Sequence, residues 1–182
     1  MKISWQTYII SGKSIDVRAT EYNKDDKGLI GSLYFQWRDL NKSIKYISTR
    51  GINLPEAISE NAFCLFFENC VRVVKLKKGK CSYDALNIKT GKKIQIKATS
   101  IPGDLSSFGP KSEWDELYFL DFSRADGTFD IYKIHPDLIY KHKVNTNQTF
   151  EDQQKQGKRP RLSIKEIIRE RRILPIKTCS LN

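Results

Sequence analysis

The chain has 182 residues, of which 29% are charged and 11% are aromatic, and its formal net charge is +11. This length suits one domain with a proper hydrophobic core, and the composition excludes an intrinsically disordered chain. The positive charge favours a polyanionic partner, with nucleic acid first and an anionic membrane surface second. A basic protein whose charges are merely solvated is the alternative.

The cysteines and histidines do not indicate a metal site. Four cysteines are scattered without a CxxC pair, and the two histidines, His135 and His142, lie far from them. A structural zinc site needs closely spaced ligand pairs, so we expect reduced and mostly buried thiols. The sequence has no signal-peptide run and no stretch long enough to span a bilayer, which predicts a cytoplasmic protein without membrane contact.

Two helices are predicted in the first half of the chain, after residues 1–22, which give no firm prediction. The first begins near Lys27 and has apolar residues at helical spacing, namely Leu29, Leu33, Trp37, Leu40 and Ile44, which we expect to form its buried stripe. The second begins with Asn53 as N-cap and Glu56 as capping-box partner, and runs to about Glu68. Glu60 on this helix has no evident structural role.

The central feature of the sequence is a predicted hairpin over residues 83–97, which follows a strand at 71–76. A two-residue Thr90-Gly91 turn would place Asp84 directly opposite Lys97. Because opposed residues point to the same face, Asp84, Gln95 and Lys97 would share one face while Ile94 and Ile96 enter the core. Taken alone, such an Asp–Lys pair is most often a surface ion pair.

The second half of the chain contains two further strands, a polar segment and a final helix. Residues 117–122 and 128–134 read as strands of a hairpin. Residues 144–162 are dominated by amide and guanidinium side chains, which predicts a solvated loop with almost nothing to bury. Ser163 then caps a last helix with Glu166 as its capping-box partner.

The residue types on the predicted hairpin suit phosphodiester hydrolysis. Asp84 can anchor Mg²⁺, Lys97 can activate water and neutralise charge in the transition state, and Gln95 offers a neutral carbonyl oxygen. Glu60 would add a second carboxylate if its helix packs beside the hairpin, although Glu68 is a rival.

This arrangement resembles the PD-(D/E)xK nucleases, whose pattern here is Glu60, Asp84 and Gln95-Ile96-Lys97. The resemblance implies an α/β restriction-endonuclease-like fold with a mixed central β-sheet flanked by helices. It also implies an Mg²⁺ site formed by Asp84, Gln95, the Ile96 backbone carbonyl and Glu60, with Lys97 as the catalytic lysine. Gln95 departs from the usual acidic residue and lowers the negative charge of the site.

Residues 50–60 resemble the N-terminal helix region of small Type II restriction endonucleases, and residues 101–110 and 147–161 resemble one short-chain family among them that cuts the interrupted palindrome GCNGC. This likeness covers roughly residues 48–170. It implies a single endonuclease domain over 1–182 that acts as a homodimer on double-stranded DNA and cuts both strands to leave 5′-phosphates. A cognate methyltransferase would be a genetic rather than a physical partner.

The expected DNA contacts lie mainly in the 144–162 region, because arginine and lysine read guanine and amide oxygens accept from the cytosine N4 group. The expected contact residues are Ser106, Ser107, Lys111, Gln153, Gln154, Gln156, Lys158, Arg159 and Arg161. Two alternatives stay open. One is a nucleic-acid-binding protein on a degenerate nuclease fold, which Gln95 favours, and the other is a repair or structure-specific nuclease of the same superfamily.

Overall fold

A computed structural model describes residues 1–23 and 25–182, and its centre is a mixed β-sheet of eight strands. In sheet order the strands are β1 (Lys2–Ile10), β2 (Lys13–Glu21), β3 (Cys70–Leu76), β4 (Ala85–Asn87), β5 (Lys93–Thr99), β7 (Glu116–Asp121), β8 (Thr128–Ile134) and β10 (Lys177–Ser180). Strands β5 and β7 run parallel, while the other neighbouring pairs are antiparallel. A separate two-stranded ribbon joins β6 (Ser106–Ser107) to β9 (Arg161–Leu162).

Helices cover both faces of the sheet, which confirms the predicted α/β class. They are α1 (Asp26–Ile47), α2 (Glu56–Phe66), α3 (Pro136–Tyr140), α4 (Phe150–Lys155) and α5 (Ile164–Arg171). Residues of α1 and α2 share one hydrophobic core with Ile94 and Ile96 of β5, as predicted for these two isoleucines. Residues of α3, α4 and α5 share a second core with Leu117 and Phe119 of β7.

Helix α1 exists as predicted, but its buried stripe is a different one. The buried apolar side chains are Ile30, Tyr34 and Trp37, whereas Leu29, Leu33 and Leu40 are exposed. Apolar residues occur on two faces of this helix, so spacing alone could not show which face packs on the sheet. Trp37 was the correct member of the predicted stripe.

Helix α2 also exists, but its predicted cap is wrong. The helix begins at Glu56 with Pro55 as the extended N-cap residue, and no side chain caps it. The helix ends at Phe66, two residues before the predicted end. Its buried residues include Ile58, Glu60 and Phe63, so this part of the helix packs against the sheet.

The central hairpin forms with a longer loop than predicted. The register pairs Ala85 with Ile94 and Leu86 with Lys93, which places Asp84 beside Gln95 rather than Lys97. The Asn87 side chain accepts hydrogen bonds from the backbone N–H groups of Lys89 and Thr90, both at 3.0 Å, and so stabilises a loop over residues 88–91. Because the shift is two residues, Asp84 stays on the face of Gln95 and Lys97.

The polar segment 144–162 is more ordered than a solvated loop. Thr149 and Asp152 form a capping box at the start of α4, and Phe150 is fully buried. The Phe150 ring packs edge-on against Phe108 at 5.0 Å between centroids. The prediction of almost nothing to bury was therefore wrong at Phe150, while Ser163 caps α5 as predicted by accepting from the Glu166 backbone N–H.

Several features outside these elements also bear on the predictions. Residues 2–21, which gave no firm prediction, form the antiparallel hairpin β1–β2 at one edge of the sheet. The four cysteines are free thiols, and three of them are buried, in line with the expectation of reduced cysteines. Across the described residues, none of the helices is long and apolar enough to cross a membrane.

Candidate active site

Asp84 lies where the sheet between β4 and β5 opens. Its backbone still belongs to the sheet, because its N–H donates to the Ile94 carbonyl and its carbonyl accepts from the Val73 N–H, both at 2.9 Å. The next β5 donor bonds to the Asp84 side chain and not to a strand backbone, since the Ile96 N–H donates to Asp84 Oδ2 at 2.7 Å. The sheet therefore fixes both the backbone and one carboxylate oxygen of Asp84.

Gln95 is buried beside Asp84, and its amide nitrogen donates to Asp84 Oδ2. A carboxylate at position 95 could not make this bond and would instead repel Asp84. A neutral amide is thus suited to holding Asp84 in place, and its own oxygen is the atom left to accept. This role was not evident from the sequence, where Gln95 stood only as a substitute for an acid.

Glu60 reaches the same region from α2 and forms an ion pair with Arg72 of β3. The Arg72 Nε lies 2.6 Å from Glu60 Oε2, and the two side chains are only 19% and 10% exposed. The packing of α2 on the sheet explains the contact, because Arg72 pairs in register with Ala85, next to Asp84. Arg72 was missed in the sequence because nothing local distinguishes it from other strand cations.

The pKa values show that Glu60 and Asp84 are electrostatically linked. Burial raises the pKa of Glu60 to about 7, and the Asp84 carboxylate adds to the rise against the influence of Arg72. Burial also raises the pKa of Asp84 to about 6, although the Lys97 ammonium and the Ile96 N–H oppose it. Two carboxylates that resist ionisation in this way favour a nearby cation.

Lys97 and Glu60 line one cavity of about 630 Å³. Helix α2 contributes Glu56, Ser59 and Glu60, and β5 contributes Ile96 and Lys97. The Lys97 ammonium lies 5.3 Å from the centre of the Phe108 ring, which gives it a cation–π contact. Asp84 and Gln95 lie outside the lining, but Asp84 is bonded to the lining residue Ile96.

The structure brings together part of the predicted DNA-contacting set. Ser106 and Ser107 pair with Leu162 and Arg161 in the β6–β9 ribbon, and Arg159 lines the cavity with both serines. Lys111, Lys158, Arg159 and Arg161 are exposed.

The three glutamines of this set are engaged in hydrogen bonds within the protein. Gln153 donates to the Gln148 side chain, Gln148 donates to Gln156, and Gln154 donates to the Gly109 carbonyl at 3.0 Å. Gln154 therefore anchors α4 to the loop before β7. These bonds give the glutamines a structural role in the protein alone.

The donor set fits a hard divalent cation of the Mg²⁺ type. Mg²⁺ is commonly held by one or two carboxylates, with water and substrate oxygens completing its octahedron. Asp84 and Glu60 each use one oxygen in the bonds described above, which leaves the other oxygen of each carboxylate. Within residues 1–23 and 25–182, no three Asp, Glu, His or Cys side chains cluster closely enough to form a complete protein-only site.

Comparison with known proteins places the chain in a family. The model of the Bsp6I restriction endonuclease family matches residues 22–170. The Type II restriction enzyme Bsp6I of Bacillus sp. (strain RFL6) is 42% identical over 147 residues, which cover 79% of this chain and 81% of that enzyme. No solved structure matches the chain. The chain therefore belongs to the Bsp6I restriction endonuclease family.

Proposed function

We propose that this protein is an Mg²⁺-dependent Type II restriction endonuclease that cuts both strands of a short palindromic DNA site. The proposal rests on one observation in a chain of this family: Glu60 and Lys97 line one cavity, and Asp84 accepts a hydrogen bond from the backbone N–H of the lining residue Ile96. The expected site is of the GCNGC type, and the expected products carry 5′-phosphates. The PD-(D/E)xK pattern assigns the same three residues to the reaction.

Asp84 and Glu60 are the proposed metal-holding carboxylates, with the Gln95 amide oxygen and the Ile96 backbone carbonyl as neutral candidates. When bound, Mg²⁺ supplies Lewis-acid stabilisation of the charge on the phosphate. Gln95 holds Asp84 in a fixed orientation through its amide N–H, so the second Asp84 oxygen is presented in one direction. Preorganisation of this kind lowers the reorganisation needed for reaction.

Lys97 is the proposed stabiliser of the transition state. Its ammonium acts on Asp84 strongly enough to oppose the burial-driven rise of the Asp84 pKa. A cation at this position can neutralise charge on the scissile phosphate and favour deprotonation of the attacking water. The stem of Lys97 is held by β5, because residue 97 pairs in register with Phe119 of β7.

The β6–β9 ribbon and the segment 144–162 form the proposed DNA-contacting surface. Arg159 and the serines of β6 line the same cavity as Lys97 and Glu60. The exposed cations Lys111, Lys158, Arg159 and Arg161 supply charge for phosphates or guanine edges. Ser106 and Ser107 can contact DNA through their hydroxyl groups. Gln153, Gln154 and Gln156 would have to exchange their present bonds to read bases.

A two-fold dimer is the proposed active form, since a palindrome presents the same sequence on both strands and one active site per strand is then sufficient. We propose that residues 1–182 form a single endonuclease domain and that the methyltransferase partner is genetic only.

Mapping of fragment ends tests the proposal. Purified protein and plasmid DNA are incubated with Mg²⁺, and the ends are sequenced and assayed for ligation. Discrete fragments with one shared palindromic sequence and ligatable 5′-phosphate ends are expected. Binding without any cutting would favour a nucleic-acid-binding protein, and ends defined by DNA structure instead of sequence would favour a repair-type nuclease.

A further inference from the structure

Arg72 places a cation beside both carboxylates of the candidate active site. Its side chain is 19% exposed, and its Nε donates to Glu60 Oε2 at 2.6 Å. The register of β3 and β4 also puts it near Asp84, because Arg72 pairs with Ala85. Burial raises the pKa of Glu60 and that of Asp84, and the Arg72 guanidinium acts in the opposite direction on both. Arg72 therefore counters the charge of the two carboxylates before any metal binds.

The donors that engage these two carboxylates differ in charge. Asp84 Oδ2 accepts from the Ile96 backbone N–H and from the Gln95 amide, which are both neutral. Glu60 Oε2 accepts from Arg72, which carries a full positive charge. A neutral donor fixes a carboxylate without opposing a metal ion, whereas a nearby cation repels the metal. Of these three donors, Arg72 is therefore the one that should weaken metal binding.

The charges around Asp84 come close to balance without a metal. When Glu60 and Asp84 are both ionised, they face the cations Arg72 and Lys97. Glu56 acts on both carboxylates as well, but it lies at the exposed start of α2, where solvent and salt screen its charge. Protein sites for Mg²⁺ depend on negatively charged ligands, and the substrate phosphate commonly supplies part of that charge. The chain by itself should therefore bind Mg²⁺ weakly.

We propose that Arg72 is a positioning residue that holds Glu60 in the place of a metal ion and lowers the affinity of the site for Mg²⁺. This inference rests on the proposed function, because it concerns the carboxylates that are assigned there to the metal. Arg72 lies outside the lining of the cavity, so it acts on the metal through Glu60 and through its charge. It gives Glu60 a cationic partner until the metal binds, which offsets the cost of burying this carboxylate.

The alternative is that Arg72 serves only to attach α2 to the sheet. Ile58, Ala62 and Phe63 of α2 are buried in the core that this helix shares with β5, so apolar contacts hold the helix as well. The two roles predict opposite effects on metal binding. Loss of a purely structural contact would misplace Glu60 and weaken metal binding, whereas loss of an opposing charge strengthens it.

Titration of the full chain with Mn²⁺ in the absence of DNA tests the inference, with free Mn²⁺ measured by electron paramagnetic resonance. Mn²⁺ takes the same oxygen ligands as Mg²⁺. Arg72→Met and Arg72→Gln should each bind Mn²⁺ at least about 10-fold more tightly than wild type, because each removes the opposing charge. Arg72→Lys keeps the charge and should stay within about 3-fold of wild type. Arg38→Met is the matched control, since it removes an arginine from an exposed ion pair with Asp39 and should leave the affinity unchanged.

The Glu60→Gln background tests whether Arg72 acts through Glu60. In this background the gain in Mn²⁺ affinity from Arg72→Met should shrink, because the two residues are in direct contact. Equal or weaker Mn²⁺ binding by folded Arg72→Met would overturn the inference. So would an equally large gain in Arg72→Lys or Arg38→Met, or an undiminished gain in the Glu60→Gln background.

Circular dichroism checks that each variant is folded. Loss of folding in both Arg72→Met and Arg72→Gln would also overturn the inference, because Arg72 would then be required for the structure itself. Plasmid cleavage by wild type with Mg²⁺ is assayed separately. Cleavage by wild type with no gain in Mn²⁺ affinity in the uncharged variants overturns this inference alone, whereas the gain in affinity without cleavage overturns the proposed function alone.

Discussion

Removing Arg72 should destabilise the protein because it leaves Glu60 without its cation. Arg72→Met keeps much of the side-chain volume but removes the bond at 2.6 Å between Arg72 Nε and Glu60 Oε2. Breaking a buried ion pair typically costs 3–5 kcal/mol, and the partial exposure of this pair, 19% and 10%, reduces the expected loss to about 2–3 kcal/mol. For a chain of this size the melting temperature should fall by about 4–12 °C.

Thermal unfolding followed by circular dichroism in the absence of divalent cations measures this loss. The double variant Glu60→Gln/Arg72→Met should recover more than half of it, since no unpaired carboxylate remains from the pair. Arg38→Met is the matched control, because the Arg38–Asp39 pair is 36% and 66% exposed and should contribute under about 1 kcal/mol. Added Mg²⁺ should stabilise Arg72→Met more than wild type. Strictly additive losses in the double variant would show that the loss does not come from an unpaired Glu60 carboxylate.

Three further predictions concern other parts of the site and the fold. Gln95→Glu replaces the amide that donates to Asp84 with a like charge. The metal-free variant should therefore be about 1–2 kcal/mol less stable in thermal unfolding, whereas its Mg²⁺ affinity in calorimetry should rise. Unchanged stability and unchanged Mg²⁺ affinity would contradict the role assigned to Gln95. Burial opposes the low pKa of Glu116, but hydrogen bonds from Lys133, Lys92 and Tyr118 lower it from 4.5 to about 2. Glu116 therefore contributes stability above pH 4.5 that is lost as the pH falls toward 2. In urea unfolding, Glu116→Gln should lower the free energy of unfolding by about 2 kcal/mol at pH 7, a value reduced because Lys92 and Lys133 are about half exposed. The free energy of unfolding of the variant should also change less than that of wild type as the pH falls from 4.5 toward 2. An equal pH dependence in the two proteins would exclude this contribution of Glu116. Arg159→Ala should weaken DNA binding at least about 10-fold in a gel-shift assay with Ca²⁺, and equal affinity would remove Arg159 from the DNA surface.

Local sequence patterns predicted the elements well but could not assign all of their faces. The helical spacing of α1 was correct, yet the buried side chains are Ile30 and Tyr34 while Leu33 and Leu40 are exposed. Both sets obey the same period, and only the packing on the sheet distinguishes them. In the same way, Phe150 is buried by its contact with Phe108, which is distant in sequence.

The central hairpin shows why the sequence predicted only part of the candidate site. The face shared by Asp84, Gln95 and Lys97 follows from strand alternation and survives a register shift of two residues. The shift itself depends on the Asn87 side chain, which accepts two backbone N–H groups in the loop. The Glu60–Arg72 pair had no such local signal, because it joins α2 to β3 through tertiary packing.

We expect Lys97 to act in phosphodiester cleavage and not to be needed for folding of the protein. The direct measurement is the rate of plasmid cleavage with Mg²⁺ by wild type and by Lys97→Met, together with DNA affinity in Ca²⁺. We expect cleavage to fall at least about 100-fold while affinity changes less than about 5-fold, since the lost charge acts mainly on the transition state. Cleavage by Lys97→Met at the wild-type rate would exclude Lys97 from the reaction.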